Sequence, residues 1–266
     1  MKKILLAILV VLLSACASGP PVDSSLSAIS QDSRVRYLVL HYTFLDSPNS
    51  IRVLTKQQVS SHYLLDDGED FKIYRLVDES RRAYHAGQSS WKGNTGLNAS
   101  SIGIEIVNLG WRDSDQGRVW PPYPQGQIDR LISLVKDIVN RHDITPDRVL
   151  AHSDIAPQRK QDPGPMFPWK QLADAGLVRW PDEKEVVLRR QGFERQLPTV
   201  AWFQKKLAEH GFAIAQNGEF DEAMRNVVAA FQMKYRPARF DGRLDAQTAA
   251  ILEVLTSSLA PEAPSQ

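Results

Sequence analysis

The stretch SIGIEIVN, residues 101–108, sets the architecture of the chain. In an extended backbone successive side chains point to opposite faces. Ile102, Ile104 and Ile106 therefore share one face, and Gly103, Glu105 and Val107 the other. A strand with an isoleucine face needs an apolar layer to cover it. QIDRLISLVKDIVNRH (127–142) supplies one, an amphipathic helix with Ile128, Leu131, Ile132, Val135, Ile138 and Val139 in its stripe. Upstream, RVRYLVLHYT (34–43) alternates as a strand, with Val35, Tyr37, Val39 and His41 on one face. SHYLLDD and FKIYRLV flank Asp67-Gly68 and read as a β-hairpin. DRVLAHSD reads as a short strand, residues 50–58 as a short helix, and 82–100 as a long Gly/Ser/Asn loop. Together these predict an α/β domain over residues 33–180, a mixed central sheet flanked by helices. The charged segment 181–195 reads as a connector. TVAWFQKKLAEHGF, FDEAMRNVVAAFQMKYR and DGRLDAQTAAILEVLTSS then predict a small all-α three-helix domain over 196–258, with Gly211 and Asp245 as caps. Residues 259–266 are a tail.

The N-terminus has the layout of a secretory signal: Lys2 and Lys3, an apolar run from Ile4 to Leu13, then small residues. Leu13-Ser14-Ala15-Cys16 resembles the bacterial lipobox, which implies a signal peptide of residues 1–15 and lipidation of Cys16, palmitate included. Cys16 is the one cysteine of the chain, so no internal disulfide is available. Alanine at position 17 favours the outer membrane, facing the periplasm. Residues 17–32 are a Ser/Pro/Gly tether. The chain holds 32 basic and 31 acidic residues, and without residues 1–15 it has 30 against 31, a formal charge of −1. That balance points away from nucleic acid as the main partner. No long apolar heptad suggests assembly, so a monomer is expected.

The chemistry-bearing residues gather in AHSDIAPQRKQDPGP (151–165), a proline-rich loop holding His152, Lys160 and Asp162. His41 and His152 each stand at the C-terminal end of an apolar strand, where ligand sites collect. Two histidines and an aspartate are a common ligand set for catalytic zinc, with a fourth position left for water. The bland alternative is two packed histidines, and no HExxH spacing argues against it. Glu105 either lines a cleft or is an exposed strand carboxylate, and Lys160 by default is a surface lysine. His142 and His210 sit at helix C-termini, where the dipole favours a positive charge. His62 reads as packed.

VLHYT, SSHYLLD, RAYHAGQSSW, SIGIEIVN and AHSDIAPQRKQDPGPMFPW, taken together and in order over residues 35–180, resemble the zinc-dependent N-acetylmuramoyl-L-alanine amidases of the amidase-2 family. The resemblance implies one zinc ion per chain on His41, His152 and Asp162, with Glu105 and Lys160 as catalytic groups. It implies hydrolysis of the amide between N-acetylmuramic acid, anhydro form included, and the L-alanine of peptidoglycan stem peptides, in cell-wall turnover. His85, in the loop that resembles the family's groove rim, and Asn108 are candidate substrate contacts, and Trp91 is a further candidate for meeting sugar or peptide. The C-terminal helices resemble the peptidoglycan-binding domain, which as a tethered module would raise the local concentration of wall around the catalytic domain. The rival readings are an inactive peptidoglycan-recognition lipoprotein and a zinc peptidase cutting within the stem peptide.

Overall fold

The computed structural model describes residue 20 and residues 22–115 and 117–257. The signal peptide, Cys16 and the tail 259–266 lie outside these residues. Residues 22–32 are exposed and hold no helix or strand. From Ser33 onward the chain forms one compact unit.

In chain order the elements are strand β1 (Tyr37–Tyr42), helix α1 (Ser47–Lys56), strands β2 (Tyr63–Leu65), β3 (Ile73–Arg75), β4 (Ser90–Trp91), β5 (Asn94–Thr95) and β6 (Ser101–Ile106), hairpin strands β7 (Arg112–Ser114) and β8 (Gly117–Val119), helix α2 (Gln125–His142), strand β9 (Val149–Ala151), and helices α3 (His152–Ile155), α4 (Trp169–Asp174), α5 (Glu183–Arg195), α6 (Val200–His210), α7 (Glu222–Tyr235) and α8 (Ala246–Ser257). The main sheet runs β3-β2-β6-β1-β9, parallel except for β3 at the edge. Local signals start the helices. Asp46, Asp182, Thr199 and Asp221 each cap a helix by accepting from a backbone N–H of its first turn.

One sheet face carries Leu38, Leu40, Ile102, Ile104 and Ile106 against Ile128, Leu131, Val135 and Ile138 of α2. This is the expected covering of the isoleucine face. The other face carries Tyr37 and Val39, joined by Leu150 and Ile155, in one cluster with Phe203, Leu207, Phe231 and Leu252 of the C-terminal helices. The expected tethered module is therefore corrected: the helical part shares a core with the sheet. The connector is corrected too. Residues 183–195 form α5, which lays Val186 and Phe193 on the shared cluster and sets Arg189 3.9 Å from Glu253 of α8. Lys234 of α7 completes the junction, pairing at 2.7 Å with Asp154 of α3, both buried.

Register brings the chemistry together. His41 on β1 is the direct partner of Glu105 on β6. Both stand on the face away from α2, at the C-terminal ends of parallel strands, and β9 delivers His152 beside them.

Candidate metal centre and cleft

His41, His152 and Asp162 meet below the surface, exposed by only 1%, 3% and 5%. Nδ1 of His41 lies 2.9 Å from Nδ1 of His152 and 3.0 Å from Oδ2 of Asp162, and His152 Nδ1 lies 2.9 Å from the same oxygen. The loop that carries Asp162 is folded back on α3: Ser153 N–H donates to the Asp162 carbonyl at 3.0 Å, and Lys160 N–H to Ala156 O at 3.1 Å. Tyr123 holds the next residue through its hydroxyl, which donates to Pro163 O at 2.8 Å.

This donor set fits a metal. His152 Nε2 is held from behind, 3.3 Å from the Ala86 carbonyl and 3.4 Å from Arg159 Nη2, so it is Nδ1 that faces the other two groups. Burial alone would raise the Asp162 carboxyl, but His152 and His41 beside it hold it well below the usual carboxylate range. Burial and the neighbouring His152 push His41 down to about 4. Unprotonated imidazole nitrogens and an ionised carboxylate are what a divalent cation requires. Tetrahedral zinc with bonds of about 2.0–2.1 Å separates its ligands by roughly 3.3 Å, close to the spacing of these three. Among the described residues, this is the cluster able to hold an ion.

His152 and Asp162 line a cleft of about 640 Å³, together with Glu105, Lys160, Tyr84, Trp111 and Arg118. Oε2 of Glu105 is buried and has no hydrogen-bond partner. Burial, reinforced by Asp162 and opposed by Lys160, pushes its carboxyl well above the usual range. A carboxyl held like this, next to a cation, is suited to taking up and returning a proton.

Of the three candidate substrate contacts, His85 lines this cleft and Asn108 and Trp91 do not. His85 borders the cleft, but its Nδ1 lies 3.0 Å from His41 Nε2 and its Nε2 3.2 Å from Ser101 Oγ, so both nitrogens are engaged inside the protein. Asn108 accepts from Gly110 N–H at 2.9 Å and reaches Pro121 O at 3.4 Å, stabilising the turn after β6. Trp91 is buried at the junction, edge-on to His210 and Phe212 at 5.6 and 5.1 Å. Gly211 has φ 141°, and a Cβ there would lie 2.5 Å from the Trp91 ring. His210 is corrected as well: it is buried in this aromatic nest rather than charged at a helix end. His62 is packed as expected, accepting from Gly103 N–H at 3.1 Å. His142 pairs with Glu79 at 2.7 Å.

Two parts of the site escaped sequence reading. Arg159 clamps the loop beside His152, donating to Ala86 O and Gln88 O. The β7–β8 hairpin brings Arg118 over the Trp111 ring at 3.9 Å on the cleft wall. Neither pairing has a local signature. Gly103 had one, because an isolated glycine in a strand marks a close approach.

The N-acetylmuramoyl-L-alanine amidase family matches residues 31–165, and a second family, described as a peptidoglycan binding domain, matches residues 196–252. Over 259 residues the chain is 42% identical to the N-acetylmuramoyl-L-alanine amidase AmiD of Escherichia coli (strain K12), covering 92% of this chain and 93% of that protein. The solved complex of E. coli AmiD with anhydro-N-acetylmuramic acid-L-Ala-D-gamma-Glu-L-Lys superposes with a TM-score of 0.81 at 41% identity, over 89% of this chain and 94% of that one. AmpDH3 from Pseudomonas aeruginosa, in complex with anhydromuramic pentapeptide, superposes with a TM-score of 0.82 at 41% identity, over 90% and 98%.

Proposed function

The chain belongs to the N-acetylmuramoyl-L-alanine amidases, and from that premise we propose that it hydrolyses the amide joining the lactyl group of N-acetylmuramic acid, anhydro form included, to the L-alanine of stem peptides, using one zinc ion held by His41, His152 and Asp162. The observation that carries this reading is the convergence of two buried imidazole nitrogens and a carboxylate at a cleft that also holds Glu105, whose buried Oε2 has no hydrogen-bond partner. When bound, zinc supplies Lewis-acid polarisation of the scissile carbonyl and acidifies water. Glu105 takes the proton of the attacking water and hands it to the departing alanine nitrogen. Lys160 faces the carbonyl oxygen as negative charge develops there. Arg159 keeps the 86–88 loop against His152.

The reading extends to the cell envelope. The lipobox-like Leu13-Ser14-Ala15-Cys16 supports lipidation at Cys16 and attachment to the outer membrane, with the enzyme facing the periplasm as a monomer. Among the described residues no helix is long and apolar enough to cross a membrane. Loss of labelled palmitate on Cys16→Ala is the expected sign of that anchor.

The test incubates the protein with defined muropeptides, with and without a chelator, and reads products by mass spectrometry. The expected result is an intact peptide with a free L-alanine amino terminus, lost with chelator and restored by zinc. Cleavage within the stem peptide rejects the amidase reading. Zinc-loaded protein that binds wall material and cuts nothing makes the chain a recognition protein.

A further inference from the structure

The hydrogen-bond chain behind His41 has a direction, and it is set three groups away from that residue. Ser101 Oγ lies 2.6 Å from Leu97 O. Two oxygens that close need a proton between them, and the carbonyl has none, so the hydroxyl donates to Leu97. Toward His85 Nε2, 3.2 Å away, Ser101 then offers a lone pair, and His85 donates from Nε2. That leaves His85 Nδ1 bare at 3.0 Å from His41 Nε2, where it accepts. The His41 proton is thereby held on Nε2, and Nδ1 faces His152 and Asp162 as a lone pair. Every side chain of this relay is buried.

The seat of His85 is built into the sheet. Gly103 lies between Ser101 and Glu105 on the same face of β6, and a Cβ there would stand 2.4 Å from His85 Cγ. The ring occupies the place of a side chain. Asn98 Oδ1 fixes the backbone beneath it, accepting from His85 N–H at 3.0 Å and Ala86 N–H at 2.7 Å.

We propose that His85 is a positioning residue of the metal centre: accepting the His41 Nε2 proton, it locks the tautomer and ring orientation of that ligand, with Ser101 setting the direction and Gly103 the seat. The inference rests on the zinc reading above. A carboxylate or carbonyl behind a ligating histidine is the usual partner, and its loss typically weakens metal affinity about 10–100-fold. Here a second histidine and a serine do that work.

The test has two arms. In zinc-loaded protein labelled with ¹⁵N-histidine, long-range ¹H–¹⁵N spectra are expected to show His85 and His41 both protonated on Nε2. A proton on His85 Nδ1 overturns the proposal without any substitution. In the second arm, zinc affinity is measured by chelator competition, with circular dichroism as the folding control. His85→Leu is expected to bind zinc roughly 10–100-fold more weakly. His85→Asn, whose Oδ1 falls near the lost Nδ1, is expected to recover most of that loss. Equal affinity for wild type and folded His85→Leu removes the relay while leaving the zinc site standing. A wild type that binds no zinc removes both.

Discussion

Glu105 and Lys160 line the same cleft, the proposed reaction gives them opposite tasks, and each can be substituted without changing His41, His152 or Asp162. Glu105→Gln keeps shape but loses the base, so kcat is expected to fall about 10²–10⁴-fold. Lys160→Ala is expected to cost about 3 kcal/mol of transition-state stabilisation, roughly 10²-fold in kcat. Zinc content should be unchanged in both, which metal analysis beside the rate assay checks. Full turnover in Lys160→Ala removes its role at the developing oxyanion. His210 makes a separate statement about pH. Burial, then the charges of Lys234 and Arg179, push it down to about 3. An unfolded histidine titrates near about 6.5. Between those values the unfolded chain binds the extra proton, so stability is full above the upper value and falls as pH drops through the window. The slope from this one group reaches about 1.4 kcal/mol per pH unit. His210→Phe, in a nest of Trp91, Phe212, Phe231 and Tyr235, should flatten the acid limb by one proton. Urea unfolding at a series of pH values reads the difference.

Strand β6 shows how one element serves two faces. Its isoleucines lie in the core against α2, while Ser101, Gly103 and Glu105 face the site. Ile102→Val should cost about 0.5–1.5 kcal/mol and leave zinc affinity alone. Gly103→Ala overpacks the His85 seat, which typically costs about 1–3 kcal/mol, and should also weaken zinc binding. Melting curves and chelator competition on the two variants separate the faces; a Gly103→Ala protein with wild-type zinc affinity would falsify the seat. The alternation of β6 was plain in the sequence, and so were Gly211 at the end of α6 and Asp245 at the start of α8. Helix α5 was missed because its charged surface hides a thin apolar contact, Val186 and Phe193, although Asp182 stood before it as a capping signal.

The sheet and the C-terminal helices share a core, so they are expected to unfold together. A chain ending at residue 180 would uncover Tyr37, Val39, Leu150 and Ile155, and is expected to aggregate or lose its cooperative melt. A stable, active truncation would favour independent modules. Lys234→Met leaves Asp154 buried without its cation, a loss of about 3–5 kcal/mol, visible as a shifted urea midpoint. The effect should reach the site, since Asp154 also accepts from Ala151 N–H at 2.8 Å, immediately before His152.

What could be read in advance was local. Strand alternation, helix stripes and caps depend on residues a few positions apart, and the family pattern in VLHYT and AHSDIAPQRKQDPGP pointed to His41, His152 and Asp162 by resemblance. What could not be read depended on partners distant in the chain. His41 and His85 are 44 residues apart, and Lys234 and Asp154 are 80 apart. Nothing local distinguishes a histidine that meets substrate from one that orients a ligand. Trp91 was a candidate to meet sugar or peptide and became a core residue because α6 and Phe212 arrive over it. Asn108 looked like a contact and became a turn brace. Folding sets these roles, because a polar or aromatic side chain takes its function from whatever group packing places against it.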